Sequence, residues 1–159
     1  MRILFVCTGN TCRSTMAEGL FRHMIKEKGL EDRIKVESAG VFAALGQSAS
    51  YQSIEVMKGQ SIDISNHKSR QLTKEMIENA DIILAMTNNH KRAIESIDIR
   101  AIKKTFTLTE YAYGNERSTD IMDPFGASVQ VYEQCSIEIK NALVNIVEKL
   151  VEKIEEENK

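Results

Sequence analysis

Cys7 and Arg13 bracket the tract Thr8-Gly9-Asn10-Thr11-Cys12, and Ser14 follows, so one thiol and one guanidinium can meet across a short loop. The apolar run Ile3-Leu4-Phe5-Val6 comes before it, and Ala17, Leu20, Phe21 and Met24 recur at helical spacing after it. A strand that feeds a loop and then a helix can aim successive backbone N–H groups at one point above the helix N-terminus, which attracts a phosphoryl group. The same donors favour Cys7 as a thiolate, the nucleophilic form. Arg13 can grip two equatorial phosphoryl oxygens with its planar fork and stabilise charge as a transition state develops, which lysine cannot imitate. Spacing alone would leave Cys7 a small buried hydrophobe. The apolar strand before it, Gly9 and Ser14 in the loop and the helix beyond turn the reading to phosphoryl transfer.

Expelling an alkoxide, a phenoxide or a neutral guanidine from phosphorus also needs a proton donor. Asp123-Pro124-Phe125-Gly126 contains the only proline of the chain. That proline biases Asp123 toward an extended conformation and stiffens a loop able to overhang the site. Asp123 is the candidate acid and Asp120 its competitor; alone, Asp123 reads equally well as a turn residue. His23, His67 and His90 are dispersed with no ligand spacing around them, so neither a metal nor any other cofactor is expected.

Elements to position these groups follow from the pattern. Strands are predicted at residues 2–6, ending at Cys7, at 34–38, ending at Ala39-Gly40, at 81–86 and at 104–108. Helices are predicted from Ser14 to a stop at Gly29, around 50–58 and at 73–79. After a loop at 112–128, Tyr132, Cys135, Ile139, Leu143, Ile146, Leu150 and Ile154 mark one face of a long amphipathic helix. Alternating strands and helices imply an α/β class with a four-stranded parallel sheet and helices on both faces, Rossmann-like in its winding. Ligands in such sheets bind beyond the carboxyl ends of the strands where strand order reverses, which favours the loop after the first strand.

The bulk properties fit this picture. A length of 159 residues suits one domain, 1–159, and 42% hydrophobic with 28% charged residues is ordinary for a folded globular chain. A formal charge of −2 with no basic stripe gives no footprint for nucleic acid. No apolar run reaches the length of a signal peptide or membrane span, and three cysteines make no disulfide framework. The expectation is a cytoplasmic monomer that meets neither nucleic acid nor membrane.

At this point the chain resembles the low-molecular-weight protein tyrosine phosphatase family. The likeness is carried by Val6-Cys7-Thr8-Gly9-Asn10-Thr11-Cys12-Arg13-Ser14, Ala17-Glu18, Glu37-Ser38-Ala39-Gly40, His67-Lys68-Ser69-Arg70, residues 80–86, Glu110-Tyr111 and Asp123-Pro124-Phe125. The resemblance implies a two-step reaction on phosphorylated proteins. Phosphocysteine forms on Cys7 with Arg13 in support, and water then hydrolyses it, Asp123 serving first as acid and then as base. It further implies that Thr8, Gly9, Asn10, Thr11, Cys12, Ser14 and Phe125 contact substrate, and that Asn10, Ser14, Ser38 and His67 form a network holding the loop. Cys12 resembles the family's second loop cysteine, which pairs with the nucleophile on oxidation. Cys135, on the apolar helix face, reads as core packing.

Within the family, Thr11 resembles the branch acting on protein phosphoarginine, whereas tyrosine-specific members usually carry an aliphatic residue there. A hydroxyl at Thr11 can order the attacking water and tolerates a guanidinium. Phe125 points the same way, since tyrosine-specific members often place tyrosine near it. Phosphotyrosine remains the alternative substrate. Two further readings are arsenate reduction, which would need a cysteine pair between Thr87 and Lys103 where there is none, and phosphoprotein binding without turnover. Thr15 departs from the family's proline and is expected to leave the helix start slightly less preorganised.

Overall fold

The computed structural model describes residues 1–159. Four strands, β1 (Arg2–Cys7), β2 (Lys35–Gly40), β3 (Ile82–Ala85) and β4 (Thr105–Thr107), form one parallel sheet in the order β2-β1-β3-β4. Six α-helices surround it: α1 (Arg13–Glu27), α2 (Tyr51–Lys58), α3 (Lys74–Asn79), α4 (Asn88–Ile97), α5 (Leu108–Tyr113) and α6 (Val129–Glu157).

Strand β1 is apolar on both faces because it is covered on both. Ile3, Phe5 and Cys7 point into a core shared with α1, α2, α5 and α6, while Leu4 and Val6 point into a second one with Ile77 of α3 and Ile94 of α4. Phe5 meets Phe21 of α1 edge to face with centroids 5.6 Å apart. Glycine at position 29 stops α1 in a left-handed conformation, φ +66°. The chain leaves β1 for β2 on one side and returns to β3 on the other, so the crevice at the carboxyl end of β1 is where strand order reverses.

Several element bounds differ from the sequence reading. Strand β2 starts at Lys35 and runs on to Gly40, whose Cα partner is Cys7, because the loop after Cys7 lies against it. Leu108 opens α5 rather than extending β4, since the Thr107 hydroxyl accepts from the Glu110 N–H and starts a helix there. The loop expected at 112–128 contains the end of α5 and a short 3-10 turn, Asn115–Arg117. Helix α4 and the 3-10 segment Ile99–Lys104 were not anticipated; of their apolar residues only Ile94 and Ala101 are buried, while Ile97, Ile99 and Ile102 face solvent. No helix is long and apolar enough to cross a membrane.

The helix starts reveal where the fold leaves room for a ligand. Side chains of Ser50, Thr73, Thr87, Thr107 and Ser128 cap α2, α3, α4, α5 and α6. Helix α1 has no side-chain cap and no acidic residue in its first turn, so its positive end faces the loop unopposed.

Candidate active site

The loop from Cys7 to Arg13 is held by Asn10, a non-glycine residue at φ 58° that the left-handed region tolerates better than most. Every polar group of Asn10 except its N–H is used. Its Nδ2 donates to Ser14 Oγ and to Ser38 Oγ, each at 2.9 Å, and its Oδ1 accepts from the Arg70 N–H at 3.1 Å. Its carbonyl accepts from His67 Nε2 at 2.7 Å and from the Thr15 hydroxyl at 3.0 Å. A carbonyl only accepts, so the His67 proton sits on Nε2. The predicted network of Asn10, Ser14, Ser38 and His67 is thus assembled in space, and Ser14 Oγ ends it 2.9 Å from Cys7 Sγ. With Asn10 donating to it, Ser14 Oγ can turn its own proton toward the Cys7 sulfur and stabilise a thiolate.

Within this scaffold no backbone N–H from Thr8 through Thr15 donates to another protein group, although Asn10, Cys12, Arg13, Ser14 and Thr15 are buried. Buried N–H groups are rarely left without partners. Here they run in sequence from the residue after Cys7 into the first turn of α1, a cradle suited to the oxygens of a phosphoryl group. Arg13 adds to it. Its side chain is only 4% exposed, Nη1 donates to the Ile121 carbonyl at 2.9 Å, and Nε has no partner at all. A pinned, desolvated guanidinium with a free N–H edge is arranged to receive an oxyanion.

The loop carrying Asp123, which leads into α6, reaches the same place. Ile121 anchors it, its N–H donating to the Met86 carbonyl beyond β3 while its carbonyl holds Arg13. Asp123 Oδ2 then lies 3.6 Å from Arg13 Nη2, with half of its side chain in solvent, and Oδ1 accepts from the Phe125 N–H. Asp120 is committed elsewhere, accepting from the Asn88 N–H at the start of α4. Of the two candidate acids, Asp123 is the one in contact with the cradle.

The remaining predicted residues range from buried to exposed. Thr11 is half-buried, its carbonyl accepting from the Ser50 N–H, and a Cβ at Gly9 would stand 3.9 Å from its Oγ1. Cys12 is buried, with Sγ 3.2 Å from the Tyr132 hydroxyl, and burial pushes Tyr132 up to about 12. Thr8 and Phe125 are exposed, Phe125 by 79%. Cys135 is buried beneath the Asp123 loop and burial raises its thiol to about 12, consistent with packing rather than reactivity.

Thr15 differs from expectation. It is the third residue of α1, and its hydroxyl ties down the Asn10 carbonyl, so the departure from proline adds a bond to the loop. Three residues were given no role by the sequence reading, although Gly40 and Arg70 stand in the matching motifs. Gly40 is needed because a Cβ there would overlap the Thr8 carbonyl and lie 3.0 Å from the Asn10 nitrogen. Ile121 and Arg70 act through main-chain atoms, which no side-chain pattern announces. A groove of about 560 Å³ lined by Arg22, Lys35 and Glu37 among others includes no residue of the Cys7–Arg13 loop, so size does not single out the reactive face.

Comparison with known proteins shows the family. The family model for low molecular weight phosphotyrosine protein phosphatase matches residues 2–158. The chain belongs to this family. It is 43% identical over 150 residues to a protein-arginine-phosphatase of Bacillus subtilis (strain 168), covering 94% of this chain and 97% of that one. A solved structure of the YwlE arginine phosphatase, a C7S mutant with a phosphorylated active-site serine, superposes with a TM-score of 0.89 at 43% identity, over 94% of this chain and 95% of that one. The structure of a low molecular weight protein tyrosine phosphatase from T. tengcongensis gives a TM-score of 0.88 at 41% identity, over 94% of this chain and 99% of that one. The four-stranded parallel sheet is therefore the family's fold, and cysteine-dependent phosphatase chemistry is the family's chemistry.

Proposed function

We propose that this chain is a protein phosphatase that releases phosphate from phosphoarginine in proteins through a phosphocysteine on Cys7. The run of unpartnered N–H groups from Thr8 to Thr15, closed by the free Arg13 Nε, carries the reading. In the first step the Cys7 thiolate attacks phosphorus, the P–N bond breaks, and Asp123 in its acid form gives its proton to the departing guanidine nitrogen. In the second, Asp123 as carboxylate takes a proton from water as that water attacks the phosphocysteine. The S–P bond then breaks, returning the thiolate and free phosphate. Arg13 and the N–H cradle hold the equatorial oxygens throughout, and Asn10, Ser14, Ser38 and His67 keep the cradle in shape.

The arginine preference is supported by Thr11, whose hydroxyl stands at the loop edge, and by the naming of the Bacillus subtilis relative. Phosphotyrosine is the second reading, favoured by the naming of the T. tengcongensis structure. Nothing favours arsenate reduction: the segment that would need a cysteine pair is α4 and a 3-10 turn without one. All reacting groups come from one chain, 1–159, which supports a single phosphatase domain acting as a monomer, and we place it in the cytoplasm. Cys12 is assigned to reversible protection, its thiol displacing water from a peroxide-oxidised Cys7 to give a disulfide.

Phosphate release from phosphoarginine and phosphotyrosine proteins at matched concentrations tests the proposal. Faster release from phosphoarginine, lost in Cys7→Ser and moved toward phosphotyrosine in Thr11→Ile, is expected. Undiminished release by Cys7→Ser would sink the mechanism, and an unmoved preference in Thr11→Ile the specificity argument.

A further inference from the structure

His90 is a buried histidine with both ring nitrogens engaged, next to the cradle yet outside the predicted site. It is the third residue of α4, which starts two residues beyond β3. Its Nε2 lies 2.8 Å from the hydroxyl of Thr8, the first loop residue after Cys7, and its Nδ1 3.0 Å from the hydroxyl of Thr87. The Thr8 oxygen also accepts from Arg13 Nη2 at 3.4 Å. One imidazole therefore connects the start of α4 to the guanidinium through a single hydroxyl.

Proton placement follows from what each partner can do. The Thr87 hydroxyl already accepts the His90 backbone N–H as the cap of α4, leaving its own proton for Nδ1. Burial and then the facing Arg13 guanidinium lower His90 to about 4, against the opposing pull of Asp120 and Asp123, so the ring is neutral and Nδ1 can accept. Nε2 then carries the ring hydrogen and gives it to Thr8. The opposite tautomer would strand a hydroxyl proton on half-buried Thr87, whereas this one leaves the spare proton on exposed Thr8, beside the anion cradle.

We propose that His90 is a positioning residue that fixes the Thr8 hydroxyl against Arg13, so that Thr8 turns its own O–H toward a phosphoryl oxygen as an additional side-chain donor. The inference rests on the phosphatase reading above. It adds a second support to the loop, entering from β3 and α4, where the Asn10 network enters from β2 and α1.

Three variants test it: His90→Leu, which keeps the bulk and removes both nitrogens; His90→Gln, whose amide N–H can reach where Nε2 stood; and Thr8→Val. His90→Leu is expected to lower kcat/KM and to weaken binding of inorganic phosphate, read by calorimetry, each about tenfold, the scale of a hydrogen bond to a charged group. His90→Gln should recover most of both. In the Thr8→Val background His90→Leu should have no further effect, because the path is already cut. Losses from the two substitutions that multiply, or a His90→Leu protein with a lower melting temperature but unchanged phosphate affinity, overturn the proposal. A wild-type chain that binds phosphate and releases none overturns the phosphatase reading instead, leaving the role of His90 to be decided by phosphate affinity.

Discussion

The loop that holds Cys7 and the loop that holds Asp123 meet at Arg13 yet are built in opposite ways. From Asn10 to Thr15 the first loop is buried except for half-buried Thr11, and Asn10 alone is bound through Ser14, Ser38, Arg70, His67 and Thr15. The second is anchored at Ile121 and again where Gln52 donates to the Ala127 carbonyl, with Met122, Asp123 and Phe125 exposed between. A cradle for a phosphoryl group must be in place before charge develops, because donors that had to reorganise would stabilise the transition state less. A proton donor must reach leaving groups of different shape on protein substrates, and a short strap between two anchors allows that. Rigidity is spent where charge is bound, and freedom is kept where substrates vary.

That division predicts how substitutions separate. Arg13→Lys, which removes the fork from the rigid side, should lower kcat/KM by about 10³-fold and weaken inorganic phosphate together with it. Asp123→Asn should lower kcat by about 10²-fold or more, as loss of a general acid does, while phosphate affinity measured by calorimetry stays near wild type. If Asp123→Asn loses phosphate affinity as heavily as Arg13→Lys does, the two loops are not functionally distinct. Asn10→Ala removes a buried hub: thermal unfolding should show a loss of about 1–3 kcal/mol, the range for stranding a buried polar group, with activity falling about tenfold, within that range at 1.4 kcal/mol per factor of ten.

The smallest effect concerns acid. His90 stays neutral in the folded protein down to about pH 4, whereas in the unfolded chain it takes up a proton near 6.5. Between those values the unfolded state binds more protons, so stability falls as pH drops through that window. Melting temperatures measured at pH 7, 5 and 4 should decline more steeply in wild type than in His90→Gln. Parallel curves would mean that the Cys7 loop does not owe its neutral support to His90.

Much of the site was legible from local pattern alone. Cys7, Arg13 and Ser14 lie within a single strand-loop-helix unit, where geometry is set by neighbours in the chain and β1 and α1 can be recognised from apolar spacing. Asp123 was singled out as the acid by the proline after it and by the resemblance, with Asp120 as its competitor. The fold separates them physically, giving Asp120 to the start of α4 and Asp123 to Arg13. Helix α4 was missed because little of its surface is buried, and with it went the position of His90, which periodicity left as one of three scattered histidines.

The sequence by itself determined that Cys7 and Arg13 bracket one strand-to-helix loop and that a parallel sheet carries them, since these follow from short-range periodicity and turn chemistry. The tertiary structure decided everything that depends on main-chain atoms or on distant partners. The Ile121 carbonyl that aims Arg13, the bare Cα of Gly40 that lets the loop close and the His90 ring behind Thr8 are such cases. A carbonyl has no residue type, and residues 82 positions apart, as Thr8 and His90 are, share no local pattern. Only packing the strands in the order β2-β1-β3-β4 brings them to the same end of the sheet.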